Sequence, residues 1–357
     1  MKIIDWYILK RYLGTFTVMI LLFIPIGIVI DISEKINKIL ENNIALKHVL
    51  NYYLDFTIYF ANMLFPIFLF ISVIWFTSKL ANNTEIVAIL SSGISYFRFL
   101  RPYIVGATII SIFALIMGVF VVPKASLGYN DFRYKYLKRT EIRATQNVYK
   151  QISENEYIYV SNFNYNDKTG FNFTLEKFDK TVLQYKIKAT RIIYNEDTKD
   201  YTLMNYEKRT VGALDDKIEK ADRKVIDFDF EIDDLTPTIY AAETMSLKEL
   251  NKFIEKETLR GSSNINAYLV VKYRKYSIPV SAFILTIIAV AVSSMKRRGG
   301  MGINLALGIA LAFIYIFFDK IFGTLAEASS MNPLLAVWIP NVAFGILAVY
   351  LLNNAKR

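Results

Sequence analysis

The sequence predicts an α-helical membrane protein with six transmembrane helices and an inserted all-β, jelly-roll-like domain outside the membrane. Three observations lead to this class. The 357 residues are 54% hydrophobic and 15% aromatic, with a mean hydropathy of +0.31, which a soluble chain of this length rarely reaches. The apolar residues cluster in six charge-free stretches. A long central region instead alternates apolar and polar residues.

The six stretches without Asp, Glu, Lys, Arg or His are 18 to 23 residues long. About 20 residues in a helix cross the roughly 30 Å hydrocarbon core of a bilayer, so each stretch is predicted to span the membrane. The first is too long for a signal-peptide core and lacks a small-x-small cleavage pattern, so we expect it to remain as a span. The stretches are Tyr12–Ile30, Phe56–Ser78, Pro102–Pro123, Tyr276–Met295, Met301–Phe318 and Pro333–Leu352.

The distribution of charge predicts the orientation. With the N-terminus inside, the inside segments hold eleven basic residues and only two acids, Asp5 and Glu85, which accounts for most of the net charge of +10. Because basic residues near span ends stay inside, both termini are predicted to be cytoplasmic. A charge divided among short loops does not favour nucleic acid as a partner.

The composition excludes several kinds of chemistry. The chain has no Cys and one His, His48, which removes disulfides, zinc–thiolate sites and histidine metal clusters. It contains no GxxxxGK[ST], GxSxG or HExxH motif and no GxGxxG after a strand. We therefore expect no metal, no cofactor and no catalytic residue, and any nucleotide hydrolysis must come from another protein.

Residues 1–123 form the first predicted domain, with three spans. On the outer side, residues 31–51 are predicted to extend the first helix. On the inner side, residues 83–93 are predicted to form a short amphipathic helix, capped by Asn83 or Thr84 and ended by Gly93.

Residues 124–275 form the second predicted domain. From Val148 to Ile232, apolar and polar residues alternate in several runs separated by turn sequences, which indicates an antiparallel sandwich or jelly roll. Ser246 and Glu249 form a capping box that begins a linker helix. Residues 276–357 hold the last three spans. Four alternating aromatic residues are expected in the sandwich core or lining a groove: Tyr157, Tyr159, Phe171 and Phe173.

Three segments, IDWYILKRYLGTF, TEIVAILSSGIS and FIYIFFDKIFGTL, occur in this order in the chain, and the last contains Asp319, Phe322 and Gly323. Together with the layout, they resemble the LptF/LptG permease family, the membrane halves of the ABC-type lipopolysaccharide extractor. The final span, NPLLAVWIPNVAFGILAVYLL, looks more like the LptG half. The resemblance implies a multi-pass protein of the bacterial inner membrane with a periplasmic β domain, in which the first and fifth helices flank a lateral opening.

The resemblance also implies a non-catalytic subunit that moves lipopolysaccharide to a periplasmic bridge. The implied partners are a cytoplasmic ABC ATPase dimer similar to LptB, a second permease similar to LptF, and periplasmic jelly-roll proteins similar to LptC and LptA. The LptF half, or a permease for another lipid, remains an alternative. A membrane-anchored periplasmic scaffold is an alternative of another class, and it needs no helix that couples to an ATPase.

The inside helix is the predicted coupling element. The resemblance implies that it docks in a groove of the ATPase, and the alternative is a helix resting on lipid headgroups with its acid near the positive N-terminus. The residues expected to couple are Glu85, Ile86, Ala88, Ile89, Leu90 and Gly93.

Contacts with a phosphorylated lipid need cations and apolar surface. The family often has a basic residue where the first helix leaves the membrane, whereas this chain has Ile30 and Asp31. Asp55 and Asp319 lie at outer span ends, where solvated acids are expected, although the resemblance favours a role for Asp319. The expected lipid-binding residues are Phe16, Phe23, Lys35, Lys38, Phe60, Phe65, Ile314, Phe317 and Lys320.

The fifth span carries a row of small residues four apart, Gly302, Ala306 and Ala310. Such a row allows another helix to approach closely. The neighbour is either a partner permease or the first span at a gate, or else another helix in ordinary packing within the same subunit.

Overall fold

The structure is a computed structural model that describes residues 2–137, 146–165, 167–212, 214–228, 230, 240–262, 264–294, 300–328 and 330–355. The chain forms two units. The helical unit comprises Met1–Arg139, Glu243–Leu247 and Asn266–Arg357, and the β unit comprises Thr140–Ala242 and Lys248–Ile265.

The described helices follow the order of the predicted spans. Six helices are long and apolar enough to cross a membrane, and they overlap the six charge-free stretches, which confirms the predicted spans. The helices are α1 (Ile3–Glu41), α2 (Leu46–Asn82), α3 (Glu85–Ser91), α4 (Tyr96–Ile116), α5 (Val122–Phe132), α6 (Ala241–Thr244), α7 (Leu247–Leu259), α8 (Ile265–Ser293), α9 (Gly300–Glu327) and α10 (Pro333–Ala355).

The third span is longer than the charge-free stretch that predicts it. One π-helical segment, Met117–Val121, joins α4 to α5, and a second, Arg133–Leu137, follows α5, so one continuous helical segment runs over Tyr96–Leu137. Pro123 does not end this helix: it lies directly after the first π-helical segment, and the helix continues through it. The helical unit therefore extends beyond the expected boundary at residue 123, and α8 likewise begins before residue 276.

The core of the helical unit lies where α1, α2, α4 and α8 meet. The Tyr12 ring lies against Gly106 of α4, where an added Cβ would come within 2.4 Å of the ring. The Tyr12 hydroxyl shares a hydrogen bond of 2.9 Å with Thr286 of α8. Aromatic and aliphatic side chains with almost no exposed surface fill the surroundings, among them Leu69, Phe70, Phe99, Tyr103 and Ile288.

The β unit contains one six-stranded antiparallel sheet in which each strand pairs with its neighbours in the sequence. This confirms the inserted β domain, but the described strands form a single sheet and not the two layers of a sandwich. The strands are β1 (Gln146–Ser153), β2 (Glu156–Asn164), β3 (Thr169–Asp179), β4 (Val182–Tyr194), β5 (Tyr201–Thr210) and β6 (Lys217–Ile226).

The buried face of the sheet differs from the expected one on β2. Ile158 and Val160 are buried there, whereas Tyr157 is 43% exposed. On β3, Phe173 is buried as expected, but Phe171 is 42% exposed. Both faces of the sequence YIYV are apolar, so alternation alone cannot decide which face points inward.

The linker helix α7 is fixed to the sheet by a buried ion pair. The Lys150 ammonium of β1 lies 2.7 Å from the Glu257 carboxylate, which has no exposed surface and also pairs with Arg260 at 3.2 Å. A fully buried carboxylate needs such partners, because losing them would leave an uncompensated charge.

Candidate functional site

The inside helix α3 is anchored by one side and exposed on the other. Ile86 is 2% exposed and belongs to the core of the helical unit, and Ile89 and Leu90 pack against that core. Ala88 and Gly93 are exposed. Of the residues expected to couple, Ile86 therefore lies where it holds the helix in place and offers no surface to a partner.

The two ends of α3 follow from local chemistry. Gly93 has φ +86°, a left-handed conformation that favours glycine, and it lies just after the helix end. Thr84 is at the N-cap, but its own backbone is left-handed and its hydroxyl donates to the Asn83 carbonyl. The expected side-chain cap by Asn83 or Thr84 is therefore not formed.

Glu85 is held by hydrogen bonds at both carboxylate oxygens. The Tyr7 hydroxyl of α1 donates to its Oε2 at 3.0 Å, and the Asn83 amide donates to its Oε1 at 3.1 Å. Sequence reasoning missed Tyr7, because no spacing connects positions 78 residues apart. This contact links the first turns of α1 to the inside helix.

A second contact fixes the inside end of α1 to α4. Two nitrogens of the Arg98 guanidinium donate to the two carboxylate oxygens of Asp5, each at 2.6 Å. Asp5 is only 5% exposed, and one of its oxygens also accepts from the Lys2 backbone N–H at 2.7 Å. A two-point pair of this kind fixes orientation as well as distance.

Four aromatic residues expected to contact lipid pack between α1 and α2 instead. Phe16 and Phe65 meet edge to face at 5.8 Å, and both are buried. Phe23 stacks on Phe68 at 5.2 Å. Phe60 lies so close to Gly27 that an added Cβ would be 2.4 Å from its ring. These side chains therefore contribute to helix packing in this conformation.

Lys35 is paired within the chain and is not an open cation. Its ammonium contacts the Asp31 carboxylate and the Tyr52 hydroxyl, which lies 2.7 Å away. The Tyr52 hydroxyl in turn donates to Asp31 at 3.0 Å, and the rings of Phe56 and Tyr129 lie within 5.9 Å of the ammonium. We call Asp31, Lys35, Tyr52, Phe56 and Tyr129 the aromatic box.

The other expected cations lie in more open positions. Lys38 is exposed, and its ammonium donates to the Leu137 carbonyl at 3.3 Å. Lys320 is exposed on α9, and among the described residues no carboxylate lies within ion-pair distance of it.

The row of small residues on α9 points away from the rest of its own unit. Gly302, Ala306 and Ala310 are exposed, and an added Cβ at Gly302 would meet no atom within 4 Å. Packing against α2 uses Gly308 instead, where an added Cβ would lie 2.0 Å from Ile74. Packing within the subunit therefore does not explain the row.

Among the spans of the described chain, α1 and α9 have the smallest fraction of buried residues. In their apolar windows only 11% and 17% of residues are buried, against 61% in α8. Both pack against α2. Two residues expected to contact lipid lie on the open face of α9, Ile314 at 45% and Phe317 at 63% exposure.

A cavity of about 210 Å³ lies inside the helical unit, near the span ends that are predicted to face outward. We call it the charged cavity, because three basic and two acidic residues contribute to its lining: Glu243, Arg274, Lys275, Asp319 and Lys320. The remaining lining residues come from α2, α4, α5, α8, α9 and the π-helical segment between α4 and α5.

Asp319, Gly323 and Arg274 form one arrangement at this cavity. The Arg274 guanidinium pairs with the Asp319 carboxylate at 3.2 Å and donates to the Asp319 backbone carbonyl at the same distance. It lies over Gly323, where an added Cβ would be 2.3 Å from its terminal nitrogen. The Asp-x-x-Phe-Gly sequence therefore provides both an ion partner and the space for an arginine.

Lys275 lies in the wall of the same cavity and is 9% exposed. Its ammonium donates to the carbonyls of Gly118 at 3.0 Å and Met245 at 3.4 Å. Gly118 belongs to the first π-helical segment, a local irregularity of the kind that often marks functional sites. Opposite, partial desolvation raises the pKa of Glu243, while Lys320 and Arg274 act to lower it.

Sequence reasoning missed Arg274, Lys275 and Glu243. A usable signal existed: Arg274 and Lys275 come directly before a charge-free stretch on a predicted continuous helix, and Asp319 and Gly323 are one turn apart. No pattern in the sequence shows that the three segments meet.

The sequence matches the family described as "Lipopolysaccharide export system permease LptF/LptG" over residues 6–354. The lipopolysaccharide export system permease protein LptG of Haemophilus influenzae is 20% identical over 298 residues, which cover 82% of each chain. LptG of Escherichia coli K12 is 16% identical over 357 residues, 98% of each chain. An uncharacterized protein of Aquifex aeolicus is 27% identical over 197 residues, about half of each chain.

The family match spans all six membrane helices and the inserted β unit, and so it covers the whole architecture described above. The resemblance of the three sequence segments is thereby confirmed at the level of the family. The chain belongs to the LptF/LptG family of lipopolysaccharide export permeases, multi-pass proteins of the inner membrane.

Proposed function

We propose that this chain is the LptG-like permease subunit of a lipopolysaccharide extractor whose energy comes from a separate cytoplasmic ATPase dimer. The lipid leaves the inner membrane between this chain and a second, LptF-like permease, and passes to periplasmic jelly-roll proteins similar to LptC and LptA. The observation that carries the proposal is the pair of poorly covered spans, α1 and α9, in a chain with an anchored inside helix.

Force enters through α3. Ile86, Ile89 and Leu90 fix the helix to the core, while Val87 at 55% exposure and Ala88 face outward. A helix packed in this way moves together with the spans that it contacts, because packed elements transmit displacement. The contact of Tyr7 with Glu85 extends this connection to α1.

The lipid path follows the open faces of α1 and α9. Exposed apolar side chains on α9 offer contact area for acyl chains, in which each buried CH₂ contributes about 0.8 kcal/mol. The row of Gly302, Ala306 and Ala310 lets a helix of the second permease approach closely. Exposing these apolar faces to water would be unfavourable in free energy, so they are suited to contact with lipid or with a partner helix.

The orientation follows from the inside excess of basic residues, with both termini cytoplasmic and the β unit periplasmic. The edge strands β1 and β6 carry backbone groups that can pair with a strand of another domain. Stacking of this kind would continue the sheet into a periplasmic bridge.

The lipid path is tested by photocrosslinking in cells. A photoreactive phenylalanine derivative at Ile314 should give an adduct with lipopolysaccharide that increases when the ATPase partner is active. The matched control is the same derivative at Ile346, which is 68% exposed on α10 and should contact only bulk lipid. Equal adducts at both positions, independent of ATP, would contradict the proposed path.

The coupling role is tested by Glu85→Arg. Charge reversal at α3 should abolish co-purification of the ATPase while the permease still inserts in the membrane. Lys10→Glu, at an exposed position of α1 on the same side, is the control and should leave co-purification intact. A permease that keeps its ATPase after Glu85→Arg is better explained as a periplasmic scaffold or by docking elsewhere.

A further inference from the structure

The charged cavity has more basic than acidic groups in its lining. Arg274, Lys275 and Lys320 face Glu243 and Asp319, and the Arg274–Asp319 pair neutralises one charge of each sign. Two ammonium groups then remain against a single carboxylate. Apart from the Arg274–Asp319 pair, the lining of the cavity thus has one more cation than it has carboxylates.

Two of the cations, Lys275 and Arg274, are held in place by other groups of the protein. Two backbone carbonyls orient the Lys275 ammonium, which has three donors, so one donor remains for a further acceptor. The Arg274 guanidinium is fixed by Asp319, and its buried Nε has no acceptor among the described residues. A buried donor without a partner is destabilising, so such a group points to a missing acceptor.

Part of the remaining lining of the cavity is apolar. Met63, Pro66, Ile278 and Ile316 lie on the same surface as the charged groups. A free ion would gain nothing from these side chains, whereas a lipid has both an anionic headgroup and hydrocarbon to bury. The mixed lining therefore favours an amphipathic ligand.

We propose that the charged cavity binds the phosphomonoester group of a membrane lipid inside this single subunit. Arg274, Lys275 and Lys320 would donate hydrogen bonds to the phosphate oxygens, and the apolar wall would contact the start of the acyl region. The site is separate from the path between two permeases in the proposed function, but it rests on that function for the expectation that a phosphorylated lipid is carried.

The test uses the full chain in nanodiscs that contain equal amounts of phosphatidic acid, which has a phosphomonoester, and phosphatidylcholine, which does not. Lipids that stay bound after release into detergent are counted by native mass spectrometry. The wild-type chain should retain phosphatidic acid in preference to phosphatidylcholine. Lys320→Gln should reduce this retention about tenfold, as expected for one charge-assisted hydrogen bond.

Two further variants keep the test independent of folding. Glu243→Gln removes the opposing carboxylate and should increase retention of phosphatidic acid. Lys47→Gln, which removes an exposed cation from α2 away from the cavity, should change nothing. Because Lys320 and Lys47 are exposed, these two changes should not prevent folding.

The outcomes distinguish a lipid phosphate from free phosphate, and they distinguish failure of the cavity proposal from failure of the proposed function. Equal retention of both lipids by the wild-type chain, or equal loss in Lys320→Gln and Lys47→Gln, would overturn the proposal. Displacement of phosphatidic acid by millimolar inorganic phosphate would assign the cavity to the free ion and overturn the lipid assignment. If retention fails while the ATP-dependent adduct at Ile314 persists, the cavity proposal alone is wrong; the reverse result contradicts the proposed function.

Discussion

The aromatic box and the charged cavity lie near the span ends that are predicted to face outward, and each contains a lysine that the sequence predicts as a lipid contact. In the aromatic box, Lys35 is paired with Asp31 and Tyr52 and surrounded by rings. In the charged cavity, Lys320 is exposed and its nearest opposing acids are already desolvated or paired with Arg274.

The difference shows that the position of a lysine relative to a span does not determine its role. A paired lysine in a box of aromatic rings stabilises the junction of α1, α2 and α5, because its charge is neutralised inside the protein. An unpaired lysine at a cavity leaves its charge available to a ligand. The same residue type at similar depth therefore serves structure at one site and recognition at the other.

The largest expected effect comes from removing the acid of the aromatic box. Asp31→Asn leaves the Lys35 ammonium without its carboxylate at a site where the two side chains are only 18% and 9% exposed. We expect the free energy of unfolding to fall by about 2 kcal/mol, below the 3–5 kcal/mol typical of fully buried pairs because some water still reaches Lys35. Thermal unfolding of the purified chain in detergent measures this.

Two further variants test whether Lys35 and Lys320 differ in their contribution to stability. Asp31→Asn combined with Lys35→Met should recover much of the lost stability, because no unpaired charge remains. Lys320→Met should change stability by less than about 0.5 kcal/mol, as for an ordinary surface position. If Lys320→Met destabilises the protein as much as Asp31→Asn, the two lysines play the same structural role, and Lys320 is not a free cation kept for a ligand.

A smaller effect is expected at Gly323, which gives Arg274 its space. Gly323→Ala places a methyl group 2.3 Å from the guanidinium, so Arg274 must move away from Asp319. We expect a loss of about 1 kcal/mol in stability, together with weaker retention of phosphatidic acid. Gly302→Ala on the same helix meets no atom within 4 Å and should change neither quantity. Unchanged retention in Gly323→Ala would show that Arg274 does not act in the charged cavity.

The fold was largely predictable because its patterns are local. Charge-free stretches of fixed length identify the six spans, and period-two alternation identifies the strands. The face of β2 was not predictable, because Tyr157 and Ile158 are both apolar and either could point inward. The length of the third span was not predictable either, because a proline within a continuous helix looks the same in the sequence as a proline that ends one.

The candidate site was less predictable, since it depends on contacts between distant segments. Phe16 and Phe65 have the composition expected of lipid contacts, yet the same composition fills the space between α1 and α2. Lys35 was chosen for its charge, but its partner Asp31 was interpreted only as a departure from the family pattern. In contrast, Ile314, Phe317 and Lys320 lie exposed on a helix with few buried residues, and their contact with lipid stays a prediction.

The smallest expected effect concerns the inside end of α1, where polar groups pair within the chain as they do in the aromatic box. Tyr7→Phe removes one exposed hydrogen bond to Glu85, so the free energy of unfolding should fall by only about 0.5 kcal/mol. Co-purification of the ATPase should persist, because Glu85 keeps its charge and the anchoring side chains of α3 are unchanged. A double-mutant cycle of Tyr7→Phe with Glu85→Gln measures the interaction directly. Loss of the ATPase in Tyr7→Phe alone would mean that the hydroxyl, and not only the carboxylate, belongs to the docking surface, and the inside end of α1 would then serve recognition, as the charged cavity does.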